Sequence, residues 1–324
     1  MRKRLSVLAL LAAAALIAAA CGDGDDEAGG EEEPVEIVLI QGVAGDEFYI
    51  TMGCGAQEAA DELGVDLGIQ GPNEFDPTEQ IPILDAVVAQ QPDAILIAPT
   101  ERTALIGPLQ SAQDAGITVV LVDTIVDDES IGVSRIATDN VEGGRVAGEA
   151  LVDLIGEQGS VFVNTTQPGV STVEERQQGF EEVIEQHSDI EYLGAEFNND
   201  DASRAAQITS AQLAAHPDLA GIFATNLFSA EGAATALRDA GELGDVKIVG
   251  FDASPGQVSQ LEEGLVQALV AQNPREIGRQ GVEAAVNSLR DEDFEEQITT
   301  PLTVVTKDNM EDPEVRETLY LDEC

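Results

Sequence analysis

From Pro34 onward, short apolar runs alternate with longer amphipathic stretches. Runs such as AILIA at 94–98 and TVVLV at 118–122 have no polar face, the pattern of strands buried on both sides in a parallel sheet covered by helices. The spacing predicts strands at Glu36–Gln41, Val65–Gln70, Ala94–Ala98, Thr118–Asp123 and Ile131–Thr138. A second series falls at Ser160–Thr165, Ile190–Phe197, Ala220–Thr225, Val246–Phe251 and Val266–Gln272. Between them, apolar positions recur with helical period over Tyr49–Leu63, Thr78–Gln90, Ala104–Ala115, Val141–Ile155, Val173–Glu185, Arg204–Ala214 and Ala230–Ala240. Strands separated by such helices are βαβ units. The change of character at Ala137–Asn140, before a fresh series opens at Ser160, predicts two doubly wound parallel-sheet α/β lobes rather than one large sheet.

The first residues follow another pattern. Arg2, Lys3 and Arg4 precede a run of small and aliphatic residues from Leu5 to Ala20 that ends at Cys21. This is the layout of an export signal, and the run is short for a membrane anchor, which must cross roughly 30 Å of hydrocarbon. Ala18-Ala19-Ala20-Cys21 resembles the bacterial lipoprotein signal, which implies removal of residues 1–20 and a lipid on Cys21. From Gly22 the chain reads GDGDDEAGGEEE, so residues 21–34 are expected to be an extended, self-repelling tether.

Composition removes several functions. The 324 residues suffice for about two domains, and 43% apolar residues can build two cores. The 62 acidic residues stand against 15 basic ones, a net charge of −47, which repels nucleic acid and anionic lipid and leaves a lipid anchor as the route to a membrane. The chain has no GxGxxG, GxxxxGK[ST] or GxSxG, so dinucleotide, P-loop and nucleophile-elbow chemistry lack their backbone requirements. His187 and His216 are the two histidines, each before a turn sequence, which argues against a histidine triad or zinc site. Neither enzymatic activity, cofactor nor metal is expected. Glu174-Glu175 and Asp127-Asp128 read as solvated pairs. Cys54 and Cys324 remain; in an exported chain they are expected to pair, the alternative being a buried Cys54 and a free terminal thiol.

In open parallel sheets, ligands bind beyond the carboxyl ends of the strands. The residues found there are Asp46, Phe48 and Tyr49, then Asp123, then Asp139 and Asn140; in the second series they are Arg176, Asn226, Asp252 and Gln272. Any one of the aspartates or asparagines could be a helix cap. Together, carboxylates, amides and one guanidinium supply paired donors and acceptors for vicinal hydroxyls, and two aromatic rings suit the C–H face of a sugar. Arg176 is expected to find its counter-charge in Asp252 or Asp123.

These residues sit in a series of longer motifs: FYITMGCGAQEAADELG, PDAILIAPT, VLVDT, IATDNVEGGRVAGE, VEERQQGF, HPDLAGIFATN, VKIVGFDAS and VQALVAQNPREIGRQGV. In that order, from about Glu36 to Asp308, the chain resembles the pentose and hexose branch of the type I periplasmic sugar-binding proteins. The resemblance implies two lobes joined by a three-segment hinge: residues 35–138 plus 273–301, and residues 139–272 plus 302–312, with a tail at 313–324. The chain would cross near Ala137–Asn140, Gln272–Asn273 and Thr300–Leu302, and the helix Arg275–Leu289 would return to the first lobe. It also implies stacking by Phe48 and Tyr49, and polar sugar contacts by Asp123, Asn140, Arg176, Asn226, Asp252 and Gln272. Asp46 stands where ribose binders carry Asn, and Thr124 where they carry Arg, which points away from ribose itself and keeps a neutral sugar or polyol. The second-lobe aromatic is open between Phe197 and Phe228. The implied role is a monomeric, exported receptor, held by lipid on the outer face of the bacterial cell membrane, that delivers sugar to an ABC permease and its ATPase. The alternative is a sensory receptor of the same fold, presenting a sugar or autoinducer to a membrane kinase or chemoreceptor.

Overall fold

The two series of strands form two separate six-stranded sheets, one in each lobe. The computed structural model describes residues 34–242 and 244–324. The expected signal segment 1–20, the lipidation site Cys21 and the tether as far as Glu33 lie outside the described residues. The first sheet holds β1 (Glu36–Ile40), β2 (Asp66–Gln70), β3 (Ala94–Ile97), β4 (Thr118–Val122), β5 (Ser134–Thr138) and β11 (Gln297–Thr300), in the order β2-β1-β3-β4-β5-β11. The second holds β6 (Gly159–Thr165), β7 (Ile190–Phe197), β8 (Leu219–Ala224), β9 (Lys247–Phe251), β10 (Ala268–Ala271) and β12 (Thr303–Thr306), in the order β7-β6-β8-β9-β10-β12. The β10–β12 pair is antiparallel and the other pairs are parallel. The two sheets therefore repeat one strand order and differ in the direction of the last strand. In each, the lobe's first strand lies between its second and third, and the crevice beside that first strand is where such sheets bind ligands.

Successive residues of β1 explain its unbroken apolar sequence. Ile37 and Leu39 enter the core under α1 (Glu47–Leu63) and α9 (Pro274–Leu289), while Val38 and Ile40 enter the opposite core under α2 (Pro77–Val88) and α3 (Ile106–Asp114). In the second lobe, α4 (Asn140–Ile155) and α5 (Ser171–Ile184) cover one face, and α6 (Ala202–Ala215), α7 (Leu227–Ala240) and α8 (Pro255–Glu263) the other. The chain passes between sheets after β5, between β10 and α9, and between β11 and β12; α9 packs on α1 and β4. The tail carries α10 (Pro313–Arg316) and ends in a Cys54–Cys324 disulfide, with 5.5 Å between Cα atoms.

One close packing positions the site. A Cβ on Gly144 of α4 would lie 2.0 Å from the carbonyl oxygen of Arg176, and one on Gly179 of α5 would lie 1.9 Å from that of Val141. The α4 and α5 backbones thus touch at the turn that carries Arg176, a distance no side-chain-bearing residue permits. Two short strands, β11 and β12, and the helix α8 escape the sequence reading. QITT and TVVT are too short and too polar to show a period, whereas α8 is declared by its Ser254–Gln257 capping box rather than by apolar spacing. Most helices also begin one to three residues before their apolar spacing does. First-turn residues carry little of the apolar stripe, and caps at Asp46, Asp139 and Asn226 set those starts.

Candidate functional site

At the carboxyl ends of the two sheets, the helix caps Asp46 and Asn226 also face the space between the lobes, whereas Asp139, the cap of α4, is exposed and off the cleft wall. Asp46 caps α1 by accepting from the Phe48 amide at 2.7 Å, so the next turn holds Phe48 and Tyr49 at the wall of the cleft. Their rings meet edge to face at 5.1 Å. The Tyr49 hydroxyl donates to Asp123 Oδ2 at 2.8 Å. Asp123 directly follows β4 at φ 64°, and Asp252 directly follows β9 at φ 78°. Each is held in this left-handed conformation by donating its amide to the neighbouring strand, Asp123 to Ile136 at 2.8 Å and Asp252 to Val270 at 2.9 Å. Such a conformation costs on the order of 1–3 kcal/mol, and both lobes use it to turn a carboxylate into the cleft.

The second-lobe wall is built around Arg176, which is 3% exposed. Its Nε donates to Asn140 Oδ1 and its Nη1 to the Thr225 carbonyl, both at 2.8 Å, and its guanidinium lies 3.8 Å over the Phe251 ring. The expected ion pair with Asp123 or Asp252 is not formed: among the described residues no carboxylate oxygen is within 4.0 Å of it. An amide, a carbonyl and a ring face stabilise the cation instead, leaving Nη2 for the cleft. Asp252 is the better-satisfied carboxylate. Its Oδ1 accepts from Gln272 Nε2 at 2.7 Å and the Tyr320 hydroxyl at 2.9 Å, and its Oδ2 from the Leu227 amide at 2.9 Å. Gln272 in turn accepts from Thr138 Oγ1 at 2.7 Å, which ties the site to the hinge.

One cleft is lined by Asp46, Phe48, Tyr49, Asp123, Arg176, Asn226, Asp252 and Gln272. Asn140 is elsewhere: it is buried one layer behind the wall, bonded to Arg176 and to the Thr138 carbonyl, and so orients the guanidinium rather than facing the cleft. Phe197 lies outside the cleft, 38% exposed, and Phe228 is not on its wall. The sequence reading missed Phe75, Thr124 as a wall residue, Thr166, Thr172 and Asp200. Asp200 falls in the segment between Phe197 and Ser203, where the family pattern gives no guide. It and Asn199 have φ 59° and 55°, its amide donates to buried Asn198, and its carboxylate accepts from Asn226 Nδ2 at 2.6 Å.

The lobes meet at the mouth. Gln167 Nε2 donates to the Phe75 carbonyl at 2.8 Å, the Arg102 amide to Gly169 at 2.9 Å, and the Ile125 amide to Ser171 Oγ at 3.0 Å, while Arg102 Nη1 pairs with Glu174 at 2.7 Å. This is a closed form. Closure shapes the electrostatics. Burial, joined by Asp252 and Asp200, pushes the Asp46 carboxyl well above the usual carboxylate range. Burial raises Asp123 to about 6, against the opposing pull of Arg176 and the Tyr49 hydrogen bond, and raises Asp200 to about 6 as well. The cleft is thus rich in hydrogen-bond acceptors, carries one cation, and has Phe48, Tyr49 and Phe75 as apolar faces. It suits an uncharged molecule with several hydroxyl donors and a C–H face, and it repels anions.

Comparison with known proteins agrees with this chemistry. The family model for the periplasmic binding protein domain matches residues 37–293. The ribose import binding protein RbsB of Escherichia coli is 31% identical over 84% of this chain and 90% of its own, and the D-ribose/D-allose-binding protein of Pseudomonas aeruginosa is 31% identical over 85% and 89%. Among solved structures, an ABC transporter solute-binding protein from Agrobacterium vitis, bound with α-D-tagatopyranose, is 43% identical with a TM-score of 0.87, covering 88% of this chain and 99% of that one. A carbohydrate transporter solute-binding protein from Agrobacterium radiobacter, in complex with D-arabinose, has a TM-score of 0.84 at 29% identity, over 88% of this chain and 99% of that one.

Proposed function

This chain belongs to the periplasmic binding protein family, and from that premise we propose that it captures one neutral monosaccharide or polyol between its lobes and delivers it to an ABC permease driven by an ATPase. The observation that carries the proposal is the closed cleft itself, in which buried carboxylates with unused acceptor capacity, one oriented guanidinium and three aromatic side chains converge from both lobes. Hydroxyl groups donate to the carboxylates, Arg176 Nη2 donates to a ring or hydroxyl oxygen, and Phe48, Tyr49 and Phe75 cover the C–H face. The wall residues proposed to touch ligand are Asp46, Phe48, Tyr49, Asp123, Arg176, Asn226, Asp252 and Gln272, with Asp200 added. Asn140 acts through Arg176.

The family places the protein outside the cytoplasm. The resemblance of residues 18–21 to a bacterial lipoprotein signal supports anchoring by a lipid on Cys21 to the outer face of the membrane. Among the described residues no helix is long and apolar enough to cross a membrane. A thermal-shift panel tests the ligand class, beginning with D-tagatose, D-ribose, D-allose and D-arabinose and continuing through polyols, amino sugars and sugar phosphates. A ligand at 100 times its Kd stabilises by about 2.7 kcal/mol, so one neutral sugar is expected to raise Tm by several degrees while sugar phosphates do nothing. A shift with phosphates alone, or with no sugar or polyol, overturns the proposal.

A further inference from the structure

The C-terminal tail makes a fourth connection between the lobes, and it does so against the binding site. Tyr320 is 4% exposed. Its amide donates to the Ala253 carbonyl of the second lobe at 3.0 Å, and its hydroxyl donates to Asp252 Oδ1 at 2.9 Å and accepts from the Gln272 amide at 3.3 Å. The same ring meets Phe48 of the first lobe edge on, with 5.8 Å between centroids. One residue later the Leu321 amide donates to Thr51 Oγ1 on α1 at 2.7 Å, and the chain ends bonded to Cys54. Phe48, Thr51 and Cys54 are spaced three apart and share one face of α1. Residues 320, 321 and 324 meet them in that order.

This register describes a strap. It runs along α1, is fastened to the first lobe by the disulfide, and reaches the second lobe through Tyr320. Asp252 needs such a support: it sits in a left-handed conformation at a strand end, and its Oδ1 depends on two side-chain donors, Gln272 and Tyr320. Removing one leaves a buried carboxylate oxygen under-bonded and free to turn. We propose that residues 317–324 form a disulfide-fastened strap whose Tyr320 is a positioning residue for the ligand site, holding Asp252 and the Gln272 hinge segment in their binding arrangement. The proposal rests on the reading of the cleft as a sugar site, and its test separates the two.

Two amides report the strap without any ligand: Gln272, which donates to the Tyr320 hydroxyl, and Leu227, which donates to Asp252 Oδ2. Hydrogen exchange at both is expected to quicken in the mature protein when the disulfide is reduced, in Cys324→Ser and in Tyr320→Phe, while exchange in the distant strand β3 stays unchanged. Calorimetry with D-tagatose, or with the panel sugar that gives the largest thermal shift, is expected to show affinity falling roughly tenfold in Tyr320→Phe, the loss of one hydrogen bond to a charged group. In an Asp252→Asn background the same substitution should change little, a non-additivity that general destabilisation would not produce. Unchanged exchange at Gln272 and Leu227 after reduction overturns the strap. Equal affinity losses in both backgrounds overturn the positioning role. Should no sugar bind the wild-type protein, the ligand reading fails while the exchange measurement still decides whether the tail holds Asp252.

Discussion

The two walls of the cleft are built on the same backbone and carry different chemistry. Both lobes have the same strand order, and both place an aspartate in a left-handed conformation after their fourth strand, with its amide bonded to the strand beside it. The first lobe then adds aromatic side chains, Phe48, Tyr49 and Phe75. The second adds Arg176, Asn226 and Asp200 and buries its nearest aromatic, Phe251, beneath the guanidinium. The equivalent carboxylates differ too: Asp123 accepts one protein hydrogen bond, from Tyr49, whereas Asp252 accepts three. The fold repeats a way of aiming a carboxylate, and the neighbours decide its use. Asp123 keeps acceptor capacity for a ligand, and Asp252 is a braced anchor. On this comparison we propose that the first lobe supplies the apolar face, with Asp46 and Asp123 as acceptors, and that the second lobe orients the ligand through Arg176.

The strongest way to break that division is to remove the orienting cation. Arg176→Ala and Arg176→Lys are both expected to lose about 3 kcal/mol of sugar affinity, roughly a hundredfold or more, because an ammonium cannot hold Asn140 and the Thr225 carbonyl while donating to the ligand from a planar fork. Arg145 is the control. It lies on the outer side of α4, paired with Glu182 and Glu142 in water, and Arg145→Ala should leave affinity unchanged by calorimetry. Near-native binding in Arg176→Lys would mean that the second lobe contributes bulk charge and no orientation.

Closing the empty cleft should depend on pH. The folded-state carboxyls of Asp123 and Asp200 are raised to about 6 from 3.8, and burial also pushes that of Asp46 well above the usual carboxylate range. Between about pH 4 and 6 the closed form therefore holds more protons than the open or unfolded chain. The stability that Asp123 and Asp200 contribute is fully present below the ordinary carboxylate range and is lost as pH rises through 6, by up to roughly 3 kcal/mol for each of these two groups. Small-angle scattering of the sugar-free protein should show the radius of gyration growing from pH 5 to pH 7.5. Adding sugar at pH 7.5 should restore the smaller value, because hydroxyl donors replace the protons. A sugar-free radius that does not change with pH would show that the carboxylates stay solvated.

A smaller effect separates the walls more finely. Asp200→Asn keeps the size of the side chain and removes an acceptor charge from the second wall alone, so it is expected to cost about 1 kcal/mol with a pyranose whose hydroxyl points there and nothing with its deoxy analogue. Equal losses for both sugars would show that Asp200 merely supports Asn226. Calorimetry on the matched pair decides this.

Asp200 also shows where reading the sequence stops. The sheets and most helices are legible because strands buried on both faces and amphipathic helices write their periods into the chain. Asp46, Asp123, Asn226 and Asp252 are legible as site candidates because Asp123 and Asp252 follow strands and Asp46 and Asn226 start helices, positions that the βαβ topology brings to one edge. Asp200 has no such signature: two consecutive left-handed residues and the buried side chain of Asn198 aim it, and these depend on contacts with Asn164 and Ser229. Phe75 reaches the cleft from the loop between β2 and α2, held by Gln167 of the opposite lobe. Tyr320 arrives from a tail whose local sequence is polar and short. For Asn140, the residue type and position both suit a ligand contact, yet Arg176 lies between it and the cleft.

The smallest expected effect lies at the mouth, where the comparison between walls gives way to a contact between them. Arg102 bridges Asp127 of its own lobe at 2.6 Å and Glu174 of the other at 2.7 Å, and its side chain is 29% exposed. A partly exposed pair of this kind contributes about 0.5 kcal/mol. The pair with Glu174 spans the two lobes, so its loss is expected to act on the closed form, whereas the Asp127 pair lies within the first lobe. Glu174→Gln should therefore raise the rate of sugar release by roughly twofold and leave the association rate unchanged. In 1 M salt, where the Debye length falls to about 3 Å, wild type and variant should release sugar at the same rate. Stopped-flow dissociation at low and high salt makes the measurement. A salt-independent difference would assign the effect to the Glu174 hydrogen bond with the Gly169 amide, a contact within the second lobe, and would leave the mouth without an electrostatic latch.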